Sequence, residues 1–137
     1  FIEELKLREN EILLMCAGSS SVGKVKLITK EFEEEEALGS QDIIRIYHCE
    51  KLPFGYLYAY LNLPILFDYI KSHKYGSAIE RLEPFHIEDI PVLIPENKII
   101  DIAHKKVVKY SNNLYRAFKF EQQAIQQVEN EIASWQS

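Results

Sequence analysis

The chain has 137 residues, 47% hydrophobic and 27% charged, which is enough for one domain with a packed core. Sixteen basic and 21 acidic residues give a net charge of −5. This argues against a nucleic-acid binder that uses its whole surface and leaves room for a local basic face. No apolar run approaches the roughly 18–20 residues of a membrane helix, and no secretory signal is visible.

Phe1–Leu7 reads as the middle of something, so the chain is expected to be a fragment. Glu11–Ala17 predicts a short apolar strand, bounded by Gly18 and Ser19-Ser20-Ser21. A second strand is expected at Val25–Thr29, with Val25 and Leu27 on one face and Lys24 and Lys26 on the other. The loop between them, Gly18–Gly23, is small and polar, as a tight connection requires. Glu31–Ala37 is strongly acidic and is expected to form a solvated loop or hairpin tip that repels phosphates. Asp42–Tyr47 predicts a third strand, on the strength of Ile43, Ile44 and Ile46.

After Leu52-Pro53 the apolar period becomes helical, over Phe54–Leu61 and then Pro64–His73. Proline is costly inside a helix and harmless in its first turn, so two short helices broken near Asn62–Pro64 are expected. Their aromatics (Tyr56, Tyr58, Tyr60, Phe67, Tyr69) are expected mostly in the core. Lys74–Ser77 is a turn signal, Ala78–Leu82 a short strand and Glu83–Ile90 a small helical turn. Ile90–Ile94, between Pro91 and Pro95, is expected as an edge strand.

From Glu96 onward there is neither Gly nor Pro. Apolar residues recur at Ala103, Val107, Tyr110, Leu114 and Phe118, then at Ile125, Val128, Ile132 and Trp135. The steps alternate mostly between four and three; Glu121 fills one seam position, and an extra step of four near Leu114 acts as a stutter. Such a helix runs about 60 Å, more than one small domain covers. Its free seam therefore implies a second long helix, from the same polypeptide or from another copy. The fold class is α+β: a small mixed or antiparallel sheet packed with short helices, then one long coiled-coil-like C-terminal helix.

The search for catalytic chemistry is negative. Gly18–Lys24 lacks phosphate-loop spacing, because Lys24 is followed by Val25 and then by a strand. His48, His73, His86 and His104 are scattered, and no nucleophile-elbow context supports a Ser-His-Asp triad. Cys16 and Cys49 have no zinc spacing and are expected as buried free thiols in a reducing cytoplasm. No cofactor or metal is expected. Binding has more to work with. Lys24, Lys26 and Lys30 flank one polar loop; Lys71, His73, Lys74 and Arg81 flank another, with Tyr75 and Ser77 between. Such residues neutralise phosphates while Ser, Gln and Arg read base edges. A third basic cluster, His104, Lys105, Lys106 and Lys109, sits on the long helix.

The stretch Lys74–Pro95 carries Gly76-Ser77-Ala78-Ile79, Leu82-Glu83-Pro84, a short helix at Ile87–Asp89, and Ile90-Pro91 through Pro95 before the long helix. It resembles the signature of type I restriction enzyme specificity subunits. In that family Gly-Ser-x-Ile leads to Leu-x-Pro, a short helix, an Ile-Pro-x-x-x-Pro strand and a long conserved helix. Ile12–Gly18 with Val22–Val25, Ser40–Ile46 and Tyr56–Pro64 are similar to its upstream elements. One departure is Pro95-Glu96-Asn97-Lys98-Ile99, where members often have Pro-Leu-x-Glu-Gln.

The resemblance implies that residues 1–95 are a target recognition domain, incomplete at its N-terminus, and residues 96–137 a spacer and dimerisation helix. Each such domain reads half of a split site in double-stranded DNA. Methyltransferase (modification) and restriction subunits supply the chemistry, so the chain itself is not an enzyme. Base-contacting residues vary with the target, so the DNA-binding candidates are positional: Ser19, Ser20, Ser21, Lys24 and Lys26; Gln41 and Arg45; Lys74, Tyr75, Ser77 and Arg81. The helix-partner candidates are Val107, Tyr110, Leu114 and Phe118, then Ile125, Val128, Ile132 and Trp135. The alternative is a protein-interaction module that associates through the long helix. A contiguous positive face including Lys24, Lys74 and Arg81 would favour DNA.

Overall fold

The computed structural model describes residues 1–18, 20–47, 50–72 and 81–136. The molecule is α+β, with a three-stranded antiparallel sheet, short helices and one long C-terminal helix. Strand β1 (Ile12–Met15) has apolar residues on both faces, which suits a central strand. It lies between β2 (Val25–Leu27) and β3 (Ile43–Ile46). Leu14 stands opposite Val25 and Ile44, and Leu13 opposite Lys26 and Arg45.

This register sends Ile12, Leu14 and Leu27 to one face, where they pack with Leu61, Ile70 and Leu82. The other face gathers Leu7, Leu13 and Ile28, with Phe32 and Ile43 against them. Ile12, Leu14, Ile28, Ile70 and Leu82 are fully buried. Each such side chain contributes about 1.5–3 kcal/mol of burial.

Helices α3 (Phe54–Leu61) and α4 (Pro64–Lys71) break where the proline rule places the break, with Pro64 opening α4. Tyr56 is buried, Tyr58, Tyr60 and Phe67 are half-buried, and Tyr69 is exposed. Helix α5 (Pro84–Glu88) is tied at its start by a reciprocal cap. The Glu83 side chain accepts from the backbone of His86, and the Glu83 N–H donates to His86 Nδ1 at 2.9 Å. Helix α6 (Asn97–Trp135) covers 39 residues. Its first turns pack on α3 through Ile100, Val107 and Ser111, and from Lys119 onward its residues are exposed.

The structure corrects two expectations and adds one element. The acidic run is no loop: Lys30–Glu34 forms helix α2, whose Phe32 packs on the sheet. Its Glu34 accepts from the Tyr115 hydroxyl at 2.8 Å and pairs with Lys119 at 3.3 Å, so α2 docks on α6. Ile90–Ile94 is no strand. Pro91 has no N–H for a ladder, and tyrosine hydroxyls hold the segment instead: Tyr56 donates to Leu93 O, and Tyr60 to Pro91 O at 2.7 Å. Phe1–Leu7 contains a short helix, α1 (Ile2–Leu5), that the sequence did not announce. Of the expected strand Ala78–Leu82, residues 78–80 lie outside the described residues. Arg81 makes a single antiparallel bridge with Ala17. Cys16 is buried and free, and burial pushes its thiol pKa up. Cys49 lies outside the described residues.

Candidate nucleic-acid interface

Three connections meet at one end of the sheet, and the antiparallel register dictates it. β1 leaves the sheet where β2 and β3 both enter it. The hairpin from Cys16 to Lys24 is closed by two backbone bonds, Met15 N–H to Lys24 O and Gly23 N–H to Met15 O, both at 2.9 Å. The Cys16 N–H donates to Asp42 O at 3.0 Å, which draws in the segment before β3. The Leu82 N–H donates to Cys16 O at 2.8 Å, which adds the segment before α5.

Several sequence candidates fall at this end. Ser20 is exposed, and the Ser21 hydroxyl donates to Ala17 O at 3.0 Å, tightening the turn. Gly23 has φ +89°, and a side chain there would press on Phe67 and Lys71 of α4 at 3.2–3.3 Å. The hairpin is thus seated on α4. Exposed Lys24 borders a groove of about 460 Å³ shared with Asn62, Pro64 and Phe67. The Lys71 ammonium lies 5.0 Å from the centroid of the Phe67 ring. Gln41 is exposed, and its carbonyl accepts from the Cys16 thiol at 3.8 Å and from Arg81 at 3.3 Å.

Arg81 is held among acids, with Glu83 at 3.2 Å and Asp42 at 3.6 Å. Its charge is therefore largely offset. Counting Lys24 and Lys71 with it, this end carries three described cations against two carboxylates. Ser19, Lys74, Tyr75 and Ser77 lie outside the described residues. The positive face named above as a discriminator is thus described only at Lys24 and Arg81.

Two candidates lie elsewhere. Lys26 is on the opposite face of the sheet, its ammonium 4.8 Å from the Phe32 centroid. Arg45 is built into the fold. It binds both oxygens of buried Glu11, at 2.7 and 2.9 Å, and donates to Lys6 O at 2.8 Å and Glu4 O at 2.6 Å. A guanidinium occupied in this way clamps the N-terminal segment to the sheet and has little left for a base edge. Asn62 and Phe67 border the groove without having been singled out for it. The signal was the helix break itself, which puts Asn62 on a surface corner beside Pro64.

The helix-partner candidates divide. Val107 is buried, and Tyr110 stacks on Tyr58 at 6.1 Å and 16° between rings. Burial and the Tyr110 hydroxyl push the Tyr58 pKa up to about 12. Leu114 borders a surface groove with β2 and α2, and Phe118 is half-buried. Farther along, Ile125, Val128, Ile132 and Trp135 are 44–72% exposed. His104 is also turned inward: Nδ1 accepts from the Gly55 N–H at 3.2 Å, and the ring meets Phe54 edge-on.

Among the described residues, no group of His, Cys, Asp and Glu is arranged to hold a metal ion. Among those residues, too, no helix is long and apolar enough to cross a membrane. No protein-family model matches the chain, and no curated protein matches it.

Proposed function

We propose that the chain reads DNA sequence as part of the specificity subunit of a type I restriction–modification system, in the cytoplasm. In this reading it directs partner methyltransferase and restriction subunits and performs no chemistry itself. The observation that carries the reading is the convergence of the 16–24, 40–42 and 81–83 segments at one end of the sheet. They set small, polar, variable-tolerant loops on a packed scaffold, as base readout requires. The Lys74–Pro95 motif order supports it independently. The bare stripe Ile125, Val128, Ile132 and Trp135 packs against a second long helix, from the same subunit or another copy, and sets the spacing of the half-sites.

The test is selection from a random duplex pool by the complete subunit with its methyltransferase partner. A split consensus is expected, with affinity falling steeply as salt rises. No enrichment and no salt-sensitive binding to any duplex would overturn the proposal.

A second reading is favoured by the same bare stripe and by the offset charge of Arg81. The chain is then a protein-interaction module from a truncated or orphan relative. Helix-mediated association without any binding to duplex DNA is its expected outcome.

A further inference from the structure

The charge of this chain is sharply segregated. Residues 97–119 hold six cations (Lys98, Lys105, Lys106, Lys109, Arg116, Lys119) and one acid, Asp101. The remainder of the 16 basic and 21 acidic residues, ten and twenty, lies elsewhere. A segment with a surplus of five positive charges is thus attached to a chain that is otherwise ten negative.

These cations are ordered on the helix. At 3.6 residues per turn, Lys98, Lys105, Lys109 and Arg116 fall within about 20° of one line. All four are exposed. The line lies about 180° around the helix from Val107, whose side is buried against the body. Lys105 pairs with Asp101 at 2.8 Å. Among the described residues, Lys98, Lys109 and Arg116 make no ion pair. The line continues through Gln123, Gln127 and Ser134, all exposed, with neither an acid nor an apolar residue within about 20° of it; Ile102 and Phe120 flank it at about 40°.

We propose that this outer face of α6, from Lys98 to Arg116, lies along the sugar–phosphate backbone of duplex DNA. The inference rests on the DNA-reading proposal and relocates its electrostatic part. The loops at the sheet end discriminate among sequences, and α6 supplies the sequence-independent attraction that the nearly balanced loop end lacks. The cations span about 27 Å at intervals of about 6–10 Å, a reach suited to successive phosphates across a groove. A protein partner is the poorer fit, because protein interfaces are anchored by clustered buried aromatic or aliphatic side chains and this face has only Ile102 and Phe120, 18 residues apart at one edge.

The test compares the full-length protein with two variants on a random-sequence duplex, measuring affinity against salt concentration. One variant carries Lys98→Gln, Lys109→Gln and Arg116→Gln. The control carries Arg8→Gln and Lys51→Gln, and slopes are compared per charge removed. All five sites are exposed, and circular dichroism checks that both variants fold. Each phosphate contact contributes about 0.9 to the slope of log affinity on log salt. The α6 variant is therefore expected to lose about two to three units of slope and at least tenfold in affinity at low salt. The control should keep its slope. Equal behaviour of the two variants overturns the proposal and leaves DNA reading by the loops standing. Loss of a protein partner with an unchanged DNA slope also overturns it. Failure of the unaltered protein to bind any duplex ends both proposals.

Discussion

Arg45→Met offers the sharpest check on how this sheet is held. The guanidinium stands on β3 beside Leu13 and binds Glu11 through Nε and Nη2 at 2.7–3.1 Å. Two further bonds go to Glu4 O and Lys6 O, so the first turn of the chain hangs on the same group. The side chains of Arg45 and Glu11 are only 15% and 7% exposed, so the pair is shielded from water. Removing one partner of such a pair leaves a buried charge uncompensated and costs about 3–5 kcal/mol. That is a large share of the roughly 5–15 kcal/mol by which domains are stable. Methionine roughly fills the volume, so packing loss adds little. The double variant Arg45→Met with Glu11→Leu should recover much of the loss, because apolar replacements of buried pairs are often neutral. Urea unfolding measures it, with a lower midpoint at unchanged slope for the single variant. A cost for Arg45→Met below about 1 kcal/mol would refute the argument. So would a loss of DNA binding at full stability, which would return Arg45 to the interface.

Gly55→Ala tests the close approach of α3 to α6, since a Cβ there would sit 2.6–2.8 Å from His104 Nδ1, Cα and O. Backbone cannot yield as a side-chain tip can, so a cost of about 1–3 kcal/mol is expected in thermal or urea unfolding, and a neutral result would show α6 free to shift. Tyr115→Phe should raise the Glu34 pKa, which the Tyr115 hydroxyl holds low, with Lys119 next. The sign follows: a lowered carboxylate pKa adds stability above the unfolded value, and that stability is lost as pH falls through the lowered folded value. NMR titration of Glu34 reads the shift, and an unmoved curve would break the α2–α6 link. Ile125→Asp with Ile132→Asp should abolish self-association or helix pairing in sedimentation while unfolding stays unchanged, because both side chains are 44–46% exposed. Loss of stability in the isolated chain would mean that the stripe packs at home.

What was legible in the sequence was what local rules determine. Pro64 fixes the break between α3 and α4, and the absence of Gly and Pro beyond Glu96 gives a helix ending at Trp135. Short apolar runs give β1 and β3, and alternation gives β2. What failed was decided by distant partners. The acidic run read as a repelled loop because like charges dominate it locally. Yet Phe32 anchors it from below, and Tyr115 and Lys119, more than 80 residues on, receive Glu34. Phe32 within that run was the available signal. Ile90–Ile94 had the composition of a strand, but tyrosine hydroxyls from α3 took the place of a neighbouring strand. Arg45 read as a surface cation because nothing in Ile43–Ile46 announces Glu11, 34 residues earlier.

The same contrast bears on the interface. A net charge of −5 is an objection to DNA binding only if charge is spread evenly, and here it is not. Nine of the 21 acids lie in the N-terminal segment and the 31–36 run, where Lys6 is held between Glu3 and Glu36. The sheet end is close to balance, since Asp42 and Glu83 offset Arg81. Polyanion attraction falls off within about a Debye length, roughly 8–10 Å at ordinary salt. A duplex lying on the outer side of α6 therefore responds to the nearby line of cations more than to carboxylates beyond that range; the acids held against this part of α6, Asp101 and Glu34, are paired with Lys105 and Lys119. On this argument the distribution along α6, not the sum over the chain, decides whether the protein holds DNA.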